Sequence, residues 1–288
     1  MNKKPFRIAK SCGGADWDPE TCFRSMAEAG IGTMEICFAK REMFDRLNWQ
    51  QCAELAEAYG IELWSCHLPF TKIDPSEPDK ELREKTVEYL SELIRKGSGI
   101  GVGTFVIHGC SGMNDLVPRS RRIDCAKESL SQLAEVAQHC GAVVAVENQP
   151  RIGLGRTYEE MLEVLSADDR LGFCLDVNHL LLQTAEEYIP KLADRLHTVH
   201  ISDYDFKNER HWMPGEGLID WQALIALLKR SGYSGPFLYE VGAPASINRR
   251  PLTYADFKHN YETLMAGGVP DPIGTPVPEL CTHWQDKK

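Results

Sequence analysis

The chain is predicted to fold as α/β, as a single (β/α)8 TIM barrel over residues 1–267, followed by a Pro-rich C-terminal tail, 268–288. Three observations lead there. Short apolar strands alternate with amphipathic helices, the pattern of a parallel sheet covered by helices. Eight such units fit a chain of 288 residues, close to the roughly 250 typical of a closed eight-stranded barrel. Finally, apolar runs repeatedly stop at a residue able to bind metal or move a proton: Cys66-His67, Ile107-His108, Val146-Glu147, Leu175-Asp176, Val199-His200 and Tyr239-Glu240.

Taken in order, strand one covers Arg7 to Ser11, and Asp18-Pro-Glu opens a helix running to about Ala29 with a capping residue at its start. Strand two, Thr33 to Cys37, holds Glu35, placed to meet either a substrate or a structural partner inside a barrel, and precedes a helix from Trp49 to Tyr59. Strand three, Glu62 to Cys66, runs into His67-Leu-Pro-Phe, and a helix follows from Asp79 to Lys96. Strand four, Thr104 to Ile107, ends at His108. The next helix, about Ser120 to Cys140, spaces Leu130, Leu133, Val136 and Ala137 for one buried face. Strand five, Ala142 to Val146, leads to Glu147-Asn-Gln-Pro, and Thr157-Tyr-Glu-Glu160 matches a capping box for a helix to Ser166. Strand six lies in Gly172-Phe-Cys-Leu-Asp-Val-Asn-His179, with a helix at Thr184 to Leu192. Strand seven, His197 to Ile201, precedes the polar loop Ser202 to Gly217, then a helix from Asp220 to Ser231. Strand eight, Phe237 to Val241, and a helix at Thr253 to Met265 complete the set.

Composition narrows the function classes. With 43% hydrophobic and 26% charged residues, the chain reads as an ordinary soluble globular protein. A net charge of −10 argues against an extended nucleic-acid surface, which draws on clustered Lys and Arg. No segment has the length and apolar continuity of a membrane span. Met1-Asn-Lys-Lys-Pro-Phe-Arg-Ile lacks the apolar region of a secretory signal, so a cytoplasmic location is expected. The ten cysteines are scattered, without a CxxC pair, as buried thiols of a cytosolic protein are. Neither a GxGxxG after the first strand nor a P-loop occurs.

In (β/α)8 barrels the functional groups sit at the C-terminal ends of the strands. The convergent set is therefore His67, His108, Glu147, Asp176, His179, His200 and Glu240, with Glu209 and His211 available from the loop after strand seven. Oxygen and imidazole ligands without thiolate suit Mn2+, Mg2+, Co2+ or Zn2+, and a dication relieves the repulsion of carboxylates packed together. Each residue has a plainer reading alone: a strand-end His as hydrogen-bonded structure, Asp176 as a helix cap, Glu147 or Glu240 as the partner of an Arg. Those readings must all hold at once for the site to vanish. His139, His259 and His283 are read as surface residues.

The motifs Val146-Glu147-Asn148, Leu175-Asp-Val-Asn-His179, Val199-His-Ile-Ser-Asp203, Pro214-Gly-Glu-Gly-Leu-Ile-Asp-Trp221 and Tyr239-Glu-Val241 resemble those of the xylose isomerase-like barrels. That superfamily includes sugar-phosphate isomerases and epimerases, ketose 3-epimerases, inosose dehydratases and metal-dependent apurinic-site endonucleases. The resemblance spans about residues 6 to 266. It implies a divalent-metal-dependent sugar, sugar-phosphate or keto-sugar isomerase or epimerase. Glu147, Asp176, His200 and Glu240 are then the ligands of one divalent ion per chain, Mn2+ first and Mg2+, Co2+ or Zn2+ as alternatives. Glu147 and Glu240 also exchange protons with the substrate through a metal-stabilised enediolate. His67, His108 and His179 line the mouth and contact the substrate, joined from the loop by Arg210, His211 and Trp212.

A keto-sugar dehydratase or lyase starts with the same proton abstraction and is the alternative. Glu209-Arg-His211 resembles the Asp-x-His pair with which the endonuclease branch holds an additional metal, Glu replacing Asp. A multi-metal phosphodiesterase therefore stands behind sugar chemistry. Arg249-Arg250 offers an anion-binding pair or an exposed loop pair. The expected partner is a small carbohydrate, with no membrane and no nucleic acid, and a homo-oligomer is compatible with the sequence.

Overall fold

The structure, a computed structural model, describes residues 6–14, 16–112, 116–242, 246–247, 250–273 and 275–276. Eight strands close a parallel barrel in sequence order: β1 Ile8–Cys12, β2 Thr33–Cys37, β3 Glu62–His67, β4 Thr104–His108, β5 Val143–Glu147, β6 Gly172–Asp176, β7 Leu196–Ile201 and β8 Phe237–Tyr239. Around it run α1 Pro19–Glu28, α2 Arg41–Arg46, α3 Trp49–Tyr59, α4 Lys80–Ser98, α5 Arg119–His139, α6 Tyr158–Leu165, α7 Ala185–Leu192, α8 Trp221–Arg230 and α9 Tyr254–Met265. The expected (β/α)8 architecture is present, and α2 adds an unexpected helix after β2.

Local chemistry sets the helix starts. The Asp18, Asp79 and Asp220 carboxylates and the Asn48 amide oxygen each accept a hydrogen bond from the backbone N–H three residues on, at 3.0, 3.1, 3.0 and 3.1 Å, satisfying donors that a helix leaves unpaired. At Thr157 only half the expected capping box forms. Its hydroxyl accepts from Glu160 N at 3.3 Å, but the Glu160 carboxylate is drawn to Arg119 at 2.6 Å and to Gly155 N at 2.7 Å. An available guanidinium outcompetes the local backbone N–H. Full boxes form instead at Thr184 and Thr253.

The large apolar core lies between barrel and helices, with Phe23, Phe105, Leu130, Phe173, Ile189 and Phe237 among its buried members. Inside the barrel the only wholly apolar cluster among the described residues is small: Val106, Ala145 and Cys174. The interior also holds polar residues, including Glu35, Ser65, Thr104 and Thr198, all buried. Strand register brings the strand ends level at one rim, His108 opposite Glu147 and Asp176 opposite His200. Among the described residues no helix is long and apolar enough to cross a membrane.

Part of the tail is described. Thr275–Pro276 pairs antiparallel with Ser246–Ile247, and Ile273 N donates to Glu216 Oε1 at 3.2 Å. His283 and Arg249 lie outside the described residues.

Candidate active site

Glu147, at the end of β5, is the hub of the barrel mouth. His200 Nδ1 stands 2.8 Å from its Oε1, while His67 Nε2 and His108 Nε2 approach its Oε2 at 3.1 and 2.8 Å. His200 Nδ1 also lies 3.0 Å from Glu240 Oε2. Ligand atoms of Glu147, Asp176, His200 and Glu240 all fall within 4.8 Å of one another. A second group, Asp176, His179 and His211, meets the same spacing, as does His67 with Glu147 and His200. Asp176 therefore belongs to two groups, joined through the turn Val177–His179 that follows β6.

The histidines are oriented, not merely near. His67 Nδ1 faces the Leu68 carbonyl at 2.9 Å, His179 Nδ1 the Asn148 carbonyl at 2.8 Å, and His211 Nδ1 the Glu240 carbonyl at 3.1 Å. A carbonyl oxygen only accepts, so each Nδ1 carries the proton, and a neutral ring turns its Nε2 lone pair inward. There Nε2 of His67 meets Glu147, and Nε2 of His179 meets Glu209 Oε1 at 3.0 Å and Asp176 Oδ2 at 3.5 Å. His200 is reversed: Nε2 lies 3.2 Å from Glu35 Oε2, which also accepts from Ser65 Oγ at 2.7 Å. Lone pairs aimed at carboxylates repel unless a proton or a cation lies between.

Electrostatics express the same conflict. Burial opposes charge on His200, yet Cys174, Glu240, Glu35 and Glu147 hold its pKa well above the ordinary imidazole value. Burial likewise opposes Glu147, but His200, His108 and His67 hold it well below the ordinary carboxylate value. Asp176 goes the other way: burial first, then Glu240 and Glu147, against the pull of His179, push it up to about 7. His211, despite burial, is raised to about 9 by Glu209, Glu240 and Asp176. Burial keeps His108 below its usual value.

A divalent cation fits this donor set. Asp176 Oδ2, Glu240 Oε2 and Glu209 Oε2 are buried without a hydrogen-bond partner, a costly state for carboxylate oxygens that a cation removes. The His200 ring approaches Glu240 Oε2 closely but is aligned on Glu147, so that oxygen stays unpaired. Asp176 Oδ1 is used locally, accepting from Asn178 N at 2.7 Å, so the capping and ligand readings of this residue are divided between its two oxygens.

Other expected residues are placed differently. Arg210 is buried, with its guanidinium on Asp205 at 2.8 and 3.0 Å and 5.7 Å from the Trp212 ring centroid. Trp212 is buried too, and its backbone pairs with Asp203 at 2.8 and 3.0 Å. Both residues sit within the β7–α8 loop and outside the carboxylate–histidine groups. Arg250 is bound by both oxygens of Asp256, at 2.7 and 2.6 Å. His139 and His259 are exposed, as expected.

Several contributors escaped the sequence reading. Asn148 brackets Asp176, donating to its carbonyl at 2.9 Å and accepting from its N–H at 2.8 Å. Asn178 accepts from the N–H groups of Arg210 and His211 at 2.9 and 3.2 Å, which helps hold His211 at its left-handed φ of 49°. Asp203 accepts from Tyr204, Gly215 and Ile219 N–H groups and from Trp221 Nε1 at 2.8 to 3.2 Å, fixing the loop that carries Glu209. Burial raises its carboxyl above the ordinary value, and the hydrogen-bond donors oppose that rise. Phe70 stacks on His108 at 4.4 Å and walls one side. Adjacency to Glu147 and Asp176 was the available signal for the two asparagines.

Fold and site together define an eight-stranded βα barrel with a carboxylate–histidine centre at the C-terminal ends of its strands. The chain belongs to the xylose isomerase-like TIM barrel family, whose model matches residues 23–259. It is 26% identical over 234 residues to an uncharacterized protein of Methanocaldococcus jannaschii, covering 75% of this chain and 78% of the other. A probable endonuclease 4 of Acholeplasma laidlawii is 24% identical, at 67% and 72% coverage, and a fructoselysine 3-epimerase of Shigella flexneri 23% identical, at 78% and 86%. Among solved structures, a D-tagatose 3-epimerase-like protein superposes with a TM-score of 0.77 at 22% identity, covering 90% of this chain and 97% of the other.

Proposed function

We propose that this protein is a divalent-metal-dependent isomerase or epimerase of a keto-sugar, with Mn2+ as the first candidate ion. The observation that carries the reading is the group Glu147, Asp176, His200 and Glu240, whose ligand atoms lie within 4.8 Å of one another while Asp176 Oδ2 and Glu240 Oε2 remain buried and unpaired. Those four residues hold the ion, which when bound polarises a substrate carbonyl and acidifies the neighbouring C–H. The names of the fructoselysine and D-tagatose epimerase relatives favour a ketose.

Glu147 and Glu240 are the proton-transfer pair. One takes the proton from the carbon beside the carbonyl, and the other returns a proton to the opposite face. Surrounding imidazoles keep both carboxyls well below the ordinary carboxylate value, so either can accept a proton, and the one that reprotonates the substrate first takes its proton from solvent. His67, His108, His179 and His211 orient substrate hydroxyls through Nε2, and Phe70 excludes water on one side. Arg210 and Trp212 serve the substrate through the loop that presents His211.

The test is an assay of ketoses, aldoses and keto-glycosides with Mn2+ in D2O. Deuterium entering the substrate at the carbon next to the carbonyl is the expected result. Absence of exchange across the whole panel overturns the enolisation reading. Products that have lost water identify the dehydratase alternative, which shares the first step.

A second reading is favoured by the group Asp176, His179 and His211 with the unpaired Glu209 Oε2: a multi-metal phosphodiesterase, the class to which the endonuclease 4 relatives' names point. The net charge of −10 stands against it. Metal analysis of the purified protein separates the two, a single ion per chain for sugar chemistry and several for phosphoester hydrolysis.

A further inference from the structure

On the outer side of β1, away from the carboxylate–histidine centre, two thiols meet that the proposed reaction does not use. Cys12 ends β1 and Cys22 lies in the first turns of α1, each about 5% exposed. Their sulfurs share the Tyr254 hydroxyl, at 3.7 and 3.1 Å, which holds both on one side chain's tip. Cys12 Sγ is also 3.5 Å from Met26 Sδ and 3.6 Å from the Lys10 carbonyl. Cys22 and Tyr254 help line a surface cavity of about 440 Å3, together with Gly13, Trp17 and Thr21.

The pair differs from the other buried cysteines. Burial pushes Cys52, Cys66 and Cys110 up, Cys52 and Cys110 to about 11. At Cys22 the Cys12 thiol leads the opposite effect, assisted by Tyr254, Trp17 and the Lys10 ammonium, and outweighs burial to bring the thiol down to about 6. Cys12 is held well above its usual value, the counterpart of donating to Cys22. Cys22 lines the surface cavity and Cys12 does not, so Cys22 is the thiol placed to meet a solvent-borne oxidant and Cys12 the neighbour placed to resolve it.

We propose that Cys12 and Cys22 are a peroxide-oxidisable pair that closes to an intrachain disulfide tying β1 to α1. The Cys22 thiolate attacks one oxygen of hydrogen peroxide; an S–O bond forms, the O–O bond breaks, and the departing hydroxide takes a proton to leave as water. Cys12, losing its proton, then attacks the Cys22 sulfur; an S–S bond forms, the S–O bond breaks, and a second water leaves. Two thiols lose two electrons and two protons, and the peroxide is reduced to two waters. The link fastens the loop between β1 and α1, which is already pressed on β2: a Cβ on Gly13 would stand 1.6 Å from the Cys37 carbonyl oxygen. Neither sulfur belongs to the carboxylate–histidine groups, so metal binding is expected to survive oxidation.

The test treats the full chain with hydrogen peroxide, blocks remaining thiols with iodoacetamide, and maps peptides by mass spectrometry. The expected result is one cross-linked species joining the Cys12 and Cys22 peptides, two hydrogens lighter than the reduced pair. Two fewer thiols titrate per chain, dithiothreitol restores both, and the other cysteines remain alkylated. In Cys12→Ser, dimedone should capture Cys22 as its sulfenic acid; in Cys22→Ser, Cys12 should stay alkylatable. The proposal is overturned if both residues remain alkylated after peroxide, or if Cys22 passes to sulfinic acid while Cys12 stays free. The wild-type map decides even where a serine variant fails to fold.

Discussion

Two histidines on β7, three residues apart, live in opposite worlds. His197, at the entry end of the barrel, stacks on Trp64 at 5.8 Å and pairs through Nε2 with the Thr104 hydroxyl at 3.1 Å. Its neighbours are uncharged apart from the Arg7 guanidinium over the other ring of the stack, and burial lowers its pKa. His200, at the exit end, is wholly buried yet held well above the ordinary value by the carboxylates around it. The difference teaches that burial does not make a site here. Burial with competing carboxylates does, because only then are oxygens left unpaired at a cost that a cation or a substrate proton relieves.

Five measurements break or sharpen that contrast. The largest effect is expected at the exit end: Glu147→Gln and Glu240→Gln should fold normally and lose turnover by about 10^3-fold, the scale of a missing acid–base group. Near-wild-type turnover in either would remove the two-carboxylate mechanism. Next comes Asp176→Asn. With its carboxyl raised to about 7 from a free value near 4, Asp176 contributes stability to the metal-free protein at low pH. That stability is lost as pH rises from about 4 to 7. In EDTA at pH 8 the Asn variant should therefore melt higher than wild type, yet gain nothing from added Mn2+. A variant that melts lower, or still responds to Mn2+, contradicts the ligand assignment.

The third expectation follows from the same group. Protons on Asp176 and His200 compete with the ion, so Mn2+ affinity measured by calorimetry should fall by more than about tenfold per pH unit below 7; a flat profile would show that neither group is titrated by binding. The fourth concerns His200's outer partner. Glu35→Gln should weaken metal affinity 10- to 100-fold, as loss of a ligand's hydrogen-bond support does, and unchanged affinity would make Glu35 a packing residue. The smallest effect belongs to the entry end: His197→Ala should cost about 1 kcal/mol of stability and leave both metal affinity and turnover alone. A loss of activity there would dissolve the contrast between the two histidines.

Much of the site was legible because a barrel converts strand ends into neighbours. His67, His108, Glu147, Asp176, His200 and Glu240 stand far apart in the chain, but each stops an apolar run, and parallel closure levels those stops at one rim. Glu35 was harder to read, since a charge within a strand looks alike whether it faces a substrate, a histidine or an Arg. Only the register of β2, β3 and β7 brings Ser65 and His200 to it. Arg210 and Trp212 stood beside His211 in a polar loop, and sequence proximity favoured a shared role. The Asp203 hub and the Asp205 pair instead turn both into the loop's own packing.

What the sequence determined by itself is the alternation of elements, the closed barrel and the list of strand-end candidates, because apolar periodicity and capping residues act over a few neighbours. What only the tertiary structure decided is the direction of each polar atom. Which nitrogen of each histidine is spent on a carbonyl or on Glu35, which oxygens of Asp176, Glu209 and Glu240 remain unpaired, and which two of ten cysteines meet over Tyr254 all depend on contacts between distant segments. Those contacts are set by strand register and helix packing, to which no local run of residues has access.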